Sequence, residues 1–157
     1  MSLNDYCGRT LAAPSGSVAA LRPASEVVQR AAGLLSDALV GVAVYGSWAR
    51  GQAENHSDVD VLVATETRVK ITRALYRQWD EAPVVWETRA VEPHFVHLPR
   101  PDQRVSSLWA EVAMDGIVLF ERGFRLSMAL ARARRDILAG RLVRRMAHGQ
   151  PYWAEAS

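Results

Sequence analysis

Apolar residues occur along this chain in two kinds of spacing, and the two alternate. Spacings of three and four residues predict helices that bury one face, whereas short unbroken apolar runs predict strands buried in a sheet. Helical spacing covers residues 25–39, 68–79, 102–114 and 124–146, and strand-like runs cover residues 42–45, 59–64, 84–98 and 117–120. This order of elements predicts an α/β (α+β) fold in which helices flank a mixed β-sheet.

The predicted elements belong to one domain. The chain has 157 residues, enough for one domain with a sizeable core. Residues 1–23 are rich in Gly, Pro and Ser and predict a loose N-terminal arm, after which Ser25 is suited to cap the first helix. Residues 24–157 would then form the single domain, and its last helix, residues 124–146, is rich in arginine.

Pro93 interrupts the longest strand-like segment, residues 84–98. Proline has no backbone N–H to donate to a neighbouring strand. The segment is therefore expected to contain an edge strand, a bulge, or a strand that starts after Pro93.

Composition and charge limit the function only loosely. The formal net charge is +2, and Lys70 is the only lysine among 19 basic residues. An arginine-biased coding sequence explains this more simply than selection for phosphate contacts, although arginine suits them. Cys7 is the only cysteine, so no disulfide can form within the chain. No apolar run approaches the ~18 residues of a membrane helix, and residues 1–20 lack the features of a signal peptide. We therefore expect a cytoplasmic protein without membrane contact.

Asp58 and Asp60 lie at the start of the predicted strand 59–64. Side chains two residues apart on a strand point to the same face, so the two carboxylates are expected side by side. Neighbouring negative charges on an apolar strand are costly unless a cation compensates them. Mg²⁺ takes oxygen ligands and often bridges a carboxylate to phosphates, which favours a metal site here.

Gly46 and Ser47 directly follow the predicted strand 42–45. Glycine permits close backbone approach, and a helical turn here would offer free N–H groups to an anion. Ser47 adds a hydroxyl donor. A phosphate cradle after one strand and a metal pair at the start of the next together suit phosphoryl or nucleotidyl transfer.

The two motifs together resemble the signature of the minimal nucleotidyltransferases of the DNA polymerase β superfamily, G-S-x-A-R-G followed by S-D-x-D. The matching residues are Gly46, Ser47, Ala49, Arg50, Gly51, Ser57, Asp58 and Asp60. The resemblance implies that Gly46 and Ser47 hold the phosphates of a nucleoside triphosphate, with ATP expected. It implies that Asp58 and Asp60 bind Mg²⁺ or Mn²⁺. An acceptor hydroxyl would attack the α-phosphate, and pyrophosphate would leave.

Two other residues of this segment, Arg50 and Trp48, have two interpretations each. Arg50 could pair with a phosphate or form a salt bridge that fixes the loop. Ser57 is grouped with the expected nucleotide-binding residues. Trp48 could stack on a base, but packing is the commoner role of a tryptophan in a turn.

The family usually has a third carboxylate on a later strand, which completes the metal site and can act as general base. Glu92 is the candidate for this third catalytic and metal-binding position. His94 stands nearest the expected acid in a simple alignment, but it is a poorer ligand for Mg²⁺. Glu87 is an earlier option. His97 is expected on the opposite face unless Pro93 shifts the phase.

The function implied by the resemblance has two forms. An enzyme would transfer AMP to an acceptor hydroxyl, for example on a partner protein such as the small helical toxin of a toxin–antitoxin pair. The alternative is a binding or regulatory module that has lost turnover. The arginines of residues 124–146 could form a solvated face or contact RNA, a nucleotide or an acidic partner, although no motif supports RNA. The apolar segment 149–153 could pack on the domain or meet a partner.

Overall fold

Two sheets of different size organise the chain, and the computed structural model describes residues 16–156 of it. The helices are α1 (Gly16–Leu35), α2 (Gly46–Ala49), α3 (Arg73–Asp80), α4 (Ser107–Asp115) and α5 (Arg125–Leu138), with a 3₁₀ turn at Ser36–Ala38. The strands are β1 (Leu39–Tyr45), β2 (Val59–Thr65), β3 (Val85–Trp86), β4 (Arg89–His97), β5 (Ile117–Glu121), β6 (Leu142–Ala147) and β7 (Gln150–Glu155). None of the helices in residues 16–156 combines the length and hydropathy needed to cross a membrane.

The larger sheet has the strand order β3-β4-β2-β1-β5. β2 runs parallel to β4 and antiparallel to β1, and β1 runs antiparallel to β5. The sheet is therefore mixed, which confirms the predicted fold class. β1 and β2 occupy its centre.

Helices cover both faces of this sheet, which explains why β1 and β2 are apolar without alternation. Side chains of α1 and α3, such as Val27 and Trp79, pack with Val61 on one face. Side chains of α4 and α5, such as Trp109 and Leu130, pack with Leu62 on the other.

The first helix is longer than the sequence pattern predicted. α1 begins at Gly16, so the predicted cap at Ser25 is wrong, as is the arm for residues 16–23. Pro23 lies inside the helix, where it removes one backbone hydrogen bond without ending it. The buried stripe that contains Val27 and Ala31 anchors the helix beyond this point. The rest of the predicted arm, residues 1–15, lies outside the described residues.

The last predicted helix, residues 124–146, is wrong beyond Leu138. The chain instead turns at Gly140, and residues 142–147 form β6, which pairs with β7 in a hairpin. His148 and Gly149 connect the two strands with φ values of 49° and 76°. Two positive φ values at a two-residue loop match the twist of a tight hairpin. The segment 149–153 thus packs on the domain, where Trp153 is buried.

Pro93 lies on β4, where the short β3 no longer covers the outer edge. The Val91 N–H donates to the Val84 carbonyl on the β3 side, 3.1 Å away. Backbone directions repeat every second residue, so the nitrogen of Pro93 also faces outward. No hydrogen bond of the sheet is lost there, and the edge-strand interpretation is confirmed.

Candidate active site

The segment 46–51 forms a tight helical turn directly after β1. The Arg50 N–H donates to the Gly46 carbonyl at 3.2 Å, and the Gln52 N–H donates to the Ser47 carbonyl at 2.8 Å. Gly46 has a φ of +78°, which favours glycine. A Cβ built on Gly46 would lie 2.7 Å from Oδ2 of Asp60. The turn therefore lies directly against the carboxylate of β2, and the two halves of the motif form one site.

Asp58 immediately precedes β2 and Asp60 is its second residue, so both lie where the strand begins, as the sequence predicted. Burial is the largest influence on Asp60 and raises its pKa above the ordinary value. The charges of His94 and Arg50 lower this pKa, and the charge of Asp58 raises it. The ionised form of Asp60 is therefore costly mainly because the carboxylate is partly desolvated, and a bound cation would reduce that cost.

Glu92 is the register partner of Asp60 across the parallel strands β2 and β4. Partners in register point to the same face, so Glu92 shares the face of Asp60. Glu92 is exposed, whereas Asp60 is only half-exposed. Among residues 16–156, no three His, Cys, Asp or Glu side chains are gathered closely enough to hold a metal ion. The structure brings Glu92 to the neighbouring strand position and leaves its carboxylate in solvent.

His94 lies on the same face, two residues after Glu92. Its Nδ1 is hydrogen-bonded to the Tyr45 hydroxyl at 2.8 Å. Burial raises the pKa of Tyr45, and the charge of Asp60 raises it further, so the hydroxyl keeps its proton. The sequence analysis missed Tyr45, although its place before Gly46 and its register with Asp60 put it at the site.

His97 and Glu87 lie away from this cluster. The Nε2–H of His97 donates to the Val69 carbonyl at 2.8 Å, and strand alternation puts His97 on the face opposite His94, as predicted. Glu87 is exposed in the turn between β3 and β4 and has a φ of 59°.

Arg50 forms the salt bridge that the sequence analysis considered as one of its two roles. Its Nη1 lies 2.7 Å from Glu111 and 3.2 Å from Asp115, both on α4. The Trp153 indole N–H donates to the other oxygen of Glu111 at 3.0 Å. The sequence analysis missed Glu111 and Asp115, whose spacing of four residues on a helix was the available signal. The C-terminal hairpin therefore reaches the motif arginine through Glu111.

Ser57 and Trp48 have structural contacts in the described residues. The Ser57 hydroxyl accepts the Glu54 N–H at 3.0 Å, and Arg89 of β4 donates to the Ser57 carbonyl at 2.9 Å. The rings of Trp48 and Trp86 pack with their centroids 4.7 Å apart. These contacts fix both ends of the loop between β1 and β2, and they favour the packing role for Trp48.

The residues present fit a hard divalent cation. The donors are carboxylate oxygens, and Asp60 is half-buried beside a second negative charge. The space that a side chain on Gly46 would fill is left open beside the Asp60 carboxylate. Asp58 and Asp60 could hold the ion, and Glu92 could join them by a movement of its exposed side chain.

Solved structures of similar fold include toxin–antitoxin complexes. One, a toxin–antitoxin with AMP-PNP, is 14% identical with a TM-score of 0.53, and the match covers 74% of this chain and 87% of that chain. A variant of the MntA-HpeT toxin–antitoxin is 13% identical with a TM-score of 0.53 and the same coverage. A tri-AMPylated HEPN toxin with MNT antitoxin from Shewanella oneidensis is 10% identical with a TM-score of 0.48, covering 75% and 86%. At such identities the likeness concerns the fold.

No curated protein is significantly similar to this chain. The family model described as "Nucleotidyltransferase domain" matches residues 25–119, a span that contains the turn, both aspartates and Glu92. This span is more than half of the chain. The chain therefore belongs to the nucleotidyltransferase domain family.

Proposed function

We propose that this protein transfers AMP from ATP to a hydroxyl group of a partner protein and uses Mg²⁺ to do so. One observation carries the proposal: the glycine turn at Gly46 lies directly against Asp60, beside Asp58. A turn that can accept phosphate thus shares one site with a pair of carboxylates that can accept a cation. Membership of the nucleotidyltransferase family supports the same reaction class.

The turn would hold the triphosphate. The Gly46–Ser47 backbone and the Ser47 hydroxyl offer donors to phosphate oxygens. Arg50 is already engaged by Glu111 and Asp115, so we assign it the role of holding the turn in shape. Its charge still lowers the pKa of Asp60 and so favours the ionised carboxylate.

The transfer exchanges one phosphorus–oxygen bond for another. The acceptor oxygen bonds to the α-phosphorus, the bond from that phosphorus to the β-phosphate bridging oxygen breaks, and pyrophosphate leaves. The proton of the acceptor hydroxyl goes to Glu92 as general base. Asp58 and Asp60 would hold Mg²⁺, which would supply positive charge to neutralise the phosphates. Catalysis in this reaction class is mainly positioning and charge neutralisation.

The acceptor is proposed to approach along the β4 side. A cavity of about 520 Å³ lies there, and its lining includes Tyr76, Pro83, Glu92 and His94. Its position beside Glu92 would let an acceptor hydroxyl reach the general base. A protein of similar fold was solved as a toxin–antitoxin with AMP-PNP, which supports an adenine nucleotide and a protein partner.

A second function, nucleotide binding without turnover, is favoured by one observation. Glu92 is exposed, and no three-ligand group is assembled in residues 16–156. With two carboxylates alone, the site would bind a nucleotide and would transfer slowly or not at all.

Labelled ATP distinguishes the two functions. The protein would be incubated with Mg²⁺ and cell lysate, once with ATP labelled at the α-phosphate and once with ATP labelled at the γ-phosphate. We expect covalent label on protein from the α-position only. Asp58→Ala should abolish labelling, while Asp102→Ala, at an exposed aspartate remote from the motif in sequence, should not. Tight ATP binding with no labelling under either Mg²⁺ or Mn²⁺ would establish the binding module instead.

A further inference from the structure

Helix α5 carries an apolar stripe on its solvent side. Leu126 and Leu130 are buried against the sheet, as expected for a surface helix. On the other side, Phe124, Met128 and Leu138 are 74%, 69% and 86% exposed. Their spacing of four and ten residues brings them to one helical face. Most surface helices carry polar residues there, and exposed large apolar side chains that share one face are typical of an interaction site.

The backbone conformation of Phe124 is an independent indication that this face is an interaction site. It precedes α5 in the left-handed conformation, with φ 56° and ψ 16°. A side chain with a Cβ costs about 1–2 kcal/mol in this conformation, and glycine would avoid the cost. The ring is mostly exposed, so packing within the described residues does little to offset the strain. Strain held at an exposed aromatic residue points to a ligand that uses it.

A groove of about 300 Å³ lies beside the stripe. One wall is the segment 98–101, with Leu98, Pro99 and Pro101, and the other is α5, with Met128. Arg132 donates to the carbonyls of Arg100 and Gln103 at 2.6 and 2.7 Å and so fastens the two walls together. The groove is thus a fixed apolar trough and not a gap between loose segments.

The charged residues that line the groove are all basic. Its lining includes Arg125, Arg132 and Arg135 and no acidic residue. Arg125 is paired with Glu66 at the rim, whereas Arg135 makes no hydrogen bond or salt bridge to a side chain in residues 16–156. An occupant with carboxylates beside an apolar surface would complement this arrangement.

We propose that this α5 groove, lined by Leu98, Pro99, Pro101 and Met128 with its three arginines, docks an acidic amphipathic helix of a partner protein. Phe124 and Leu138, at the two ends of the adjoining stripe, would extend the contact. The stripe spans 14 residues of helix, roughly 21 Å, which matches about four turns of a docked helix. Leu98, the residue after β4, lies six residues beyond Glu92, roughly 20 Å along the strand direction. The groove and the cavity beside Glu92 share no lining residue, so the two are separate surfaces. The docking surface does not depend on whether that site transfers a nucleotide.

The test uses two synthetic peptides and the full-length protein. Each labelled 20-residue peptide has leucines at i, i+3, i+4 and i+7; one carries glutamates at the remaining positions and the other carries lysines. Fluorescence anisotropy should show binding of the acidic peptide and at least tenfold weaker binding of the basic one. Added salt should weaken the acidic complex. No binding of the acidic peptide, or equal binding of both, would overturn the proposal.

Matched variants locate the binding. Met128→Asp should weaken binding of the acidic peptide at least tenfold, while Met146→Asp should leave it unchanged. The two methionines are 69% and 67% exposed, so both variants add a charge at a similarly open position. Arg135→Glu should reverse the preference between the peptides. Equal losses at Met128 and Met146 would overturn the assignment.

Two other occupants are separate outcomes of the same test. Light scattering that detects a dimer dissociated by Met128→Asp would give the groove to a second copy of this chain. Tighter peptide binding after deletion of residues 2–15 would give it to the chain's own N-terminal residues. Either result would overturn a partner helix as the occupant.

Discussion

β2 and β4 each carry a candidate carboxylate, and the two carboxylates differ in how far they are buried. Asp60 and Glu92 are register partners on one face of the sheet. β2 has a strand on each side and the Gly46 turn against its aspartate, so Asp60 is partly desolvated. β4 has only the short β3 on its outer side, and Glu92 stays in solvent. Strand position within the sheet therefore sets the environment of each acid.

The difference suggests a division of labour within the proposed reaction. A carboxylate held in a tight, partly buried place can position a cation with little movement, but its ionised form is costly without one. An ionised carboxylate at a solvent-exposed edge costs little free energy, and its side chain can turn toward the substrate. Each of the following changes tests one side of this comparison.

Glu92→Gln tests the open edge most directly. We expect transfer to fall at least 100-fold because the variant has no carboxylate to accept the proton. Glu87→Gln, which changes an exposed glutamate in the nearby turn, is the control and should retain activity. Transfer from α-labelled ATP measures both. Undiminished transfer in Glu92→Gln would remove β4 from the chemistry.

Gly46→Ala tests the β2 side of the comparison, where the Gly46 turn lies against Asp60. The added Cβ would stand 2.7 Å from the Asp60 carboxylate and displace it, and displacements of about 1 Å can cost up to about 100-fold in rate. Gly51→Ala is a matched control, because Gly51 has a φ of +69° but no heavy atom within 4 Å of its added Cβ. Both variants place a Cβ at a positive φ, so we expect denaturant unfolding to show a similar loss in the free energy of unfolding for the two. Equal losses of transfer would show that the contact with Asp60 is unimportant.

Glu111→Gln tests how the turn beside Asp60 is held in place. The variant weakens the ion pair with Arg50 and disturbs the hydrogen bond from Trp153. We expect the free energy of unfolding to fall by about 1–2 kcal/mol, because the pair is largely shielded from water. Glu26→Gln breaks the exposed pair with Arg22 and should cost less than about 0.5 kcal/mol. Similar values for the two variants would mean that Glu111 does not brace the turn.

Asp60→Asn should give the smallest effect, and with the opposite sign. The raised pKa means that the folded chain binds this proton more tightly than the unfolded chain, so metal-free stability falls as pH rises above the ordinary value of 3.8. The variant removes this cost and should gain at most about 1 kcal/mol at pH 7, since the carboxyl is half-exposed and screened. Thermal unfolding with chelator present measures it. A loss of stability would show that the Asp60 charge is already compensated.

The local features of the site were predictable because neighbours in sequence determine them. Strand alternation placed Asp58 and Asp60 at the start of β2, and glycine chemistry indicated the turn at Gly46. Both depend on a few adjacent residues. The helix at residues 16–23 was not predictable from its neighbours in sequence, because proline and glycine usually interrupt helices, whereas packing farther along α1 sustains this one.

The distant partners were not predictable from a single sequence. The salt bridge of Arg50 joins residues 61 positions apart, and the hydrogen bond of Tyr45 to His94 joins residues 49 apart. Such contacts exist only after the strands and helices have packed. The hairpin of β6 and β7 was mistaken for helix because residues 142–146 continue an apolar spacing, and only the pairing with β7 decides for strand.

The sequence by itself determined the chemistry available to this protein, namely a glycine turn and a pair of aspartates. It also determined the family to which the chain belongs. Tertiary structure decided the burial and the contacts of each group. Because β3 pairs only with the first two residues of β4, the part of β4 that carries Glu92 is at the edge of the sheet, and Glu92 stays in solvent beside a partly buried Asp60. The packing of α5 turned its apolar stripe outward. Burial and strand order arise from contacts between distant segments, and no short stretch of residues contains them.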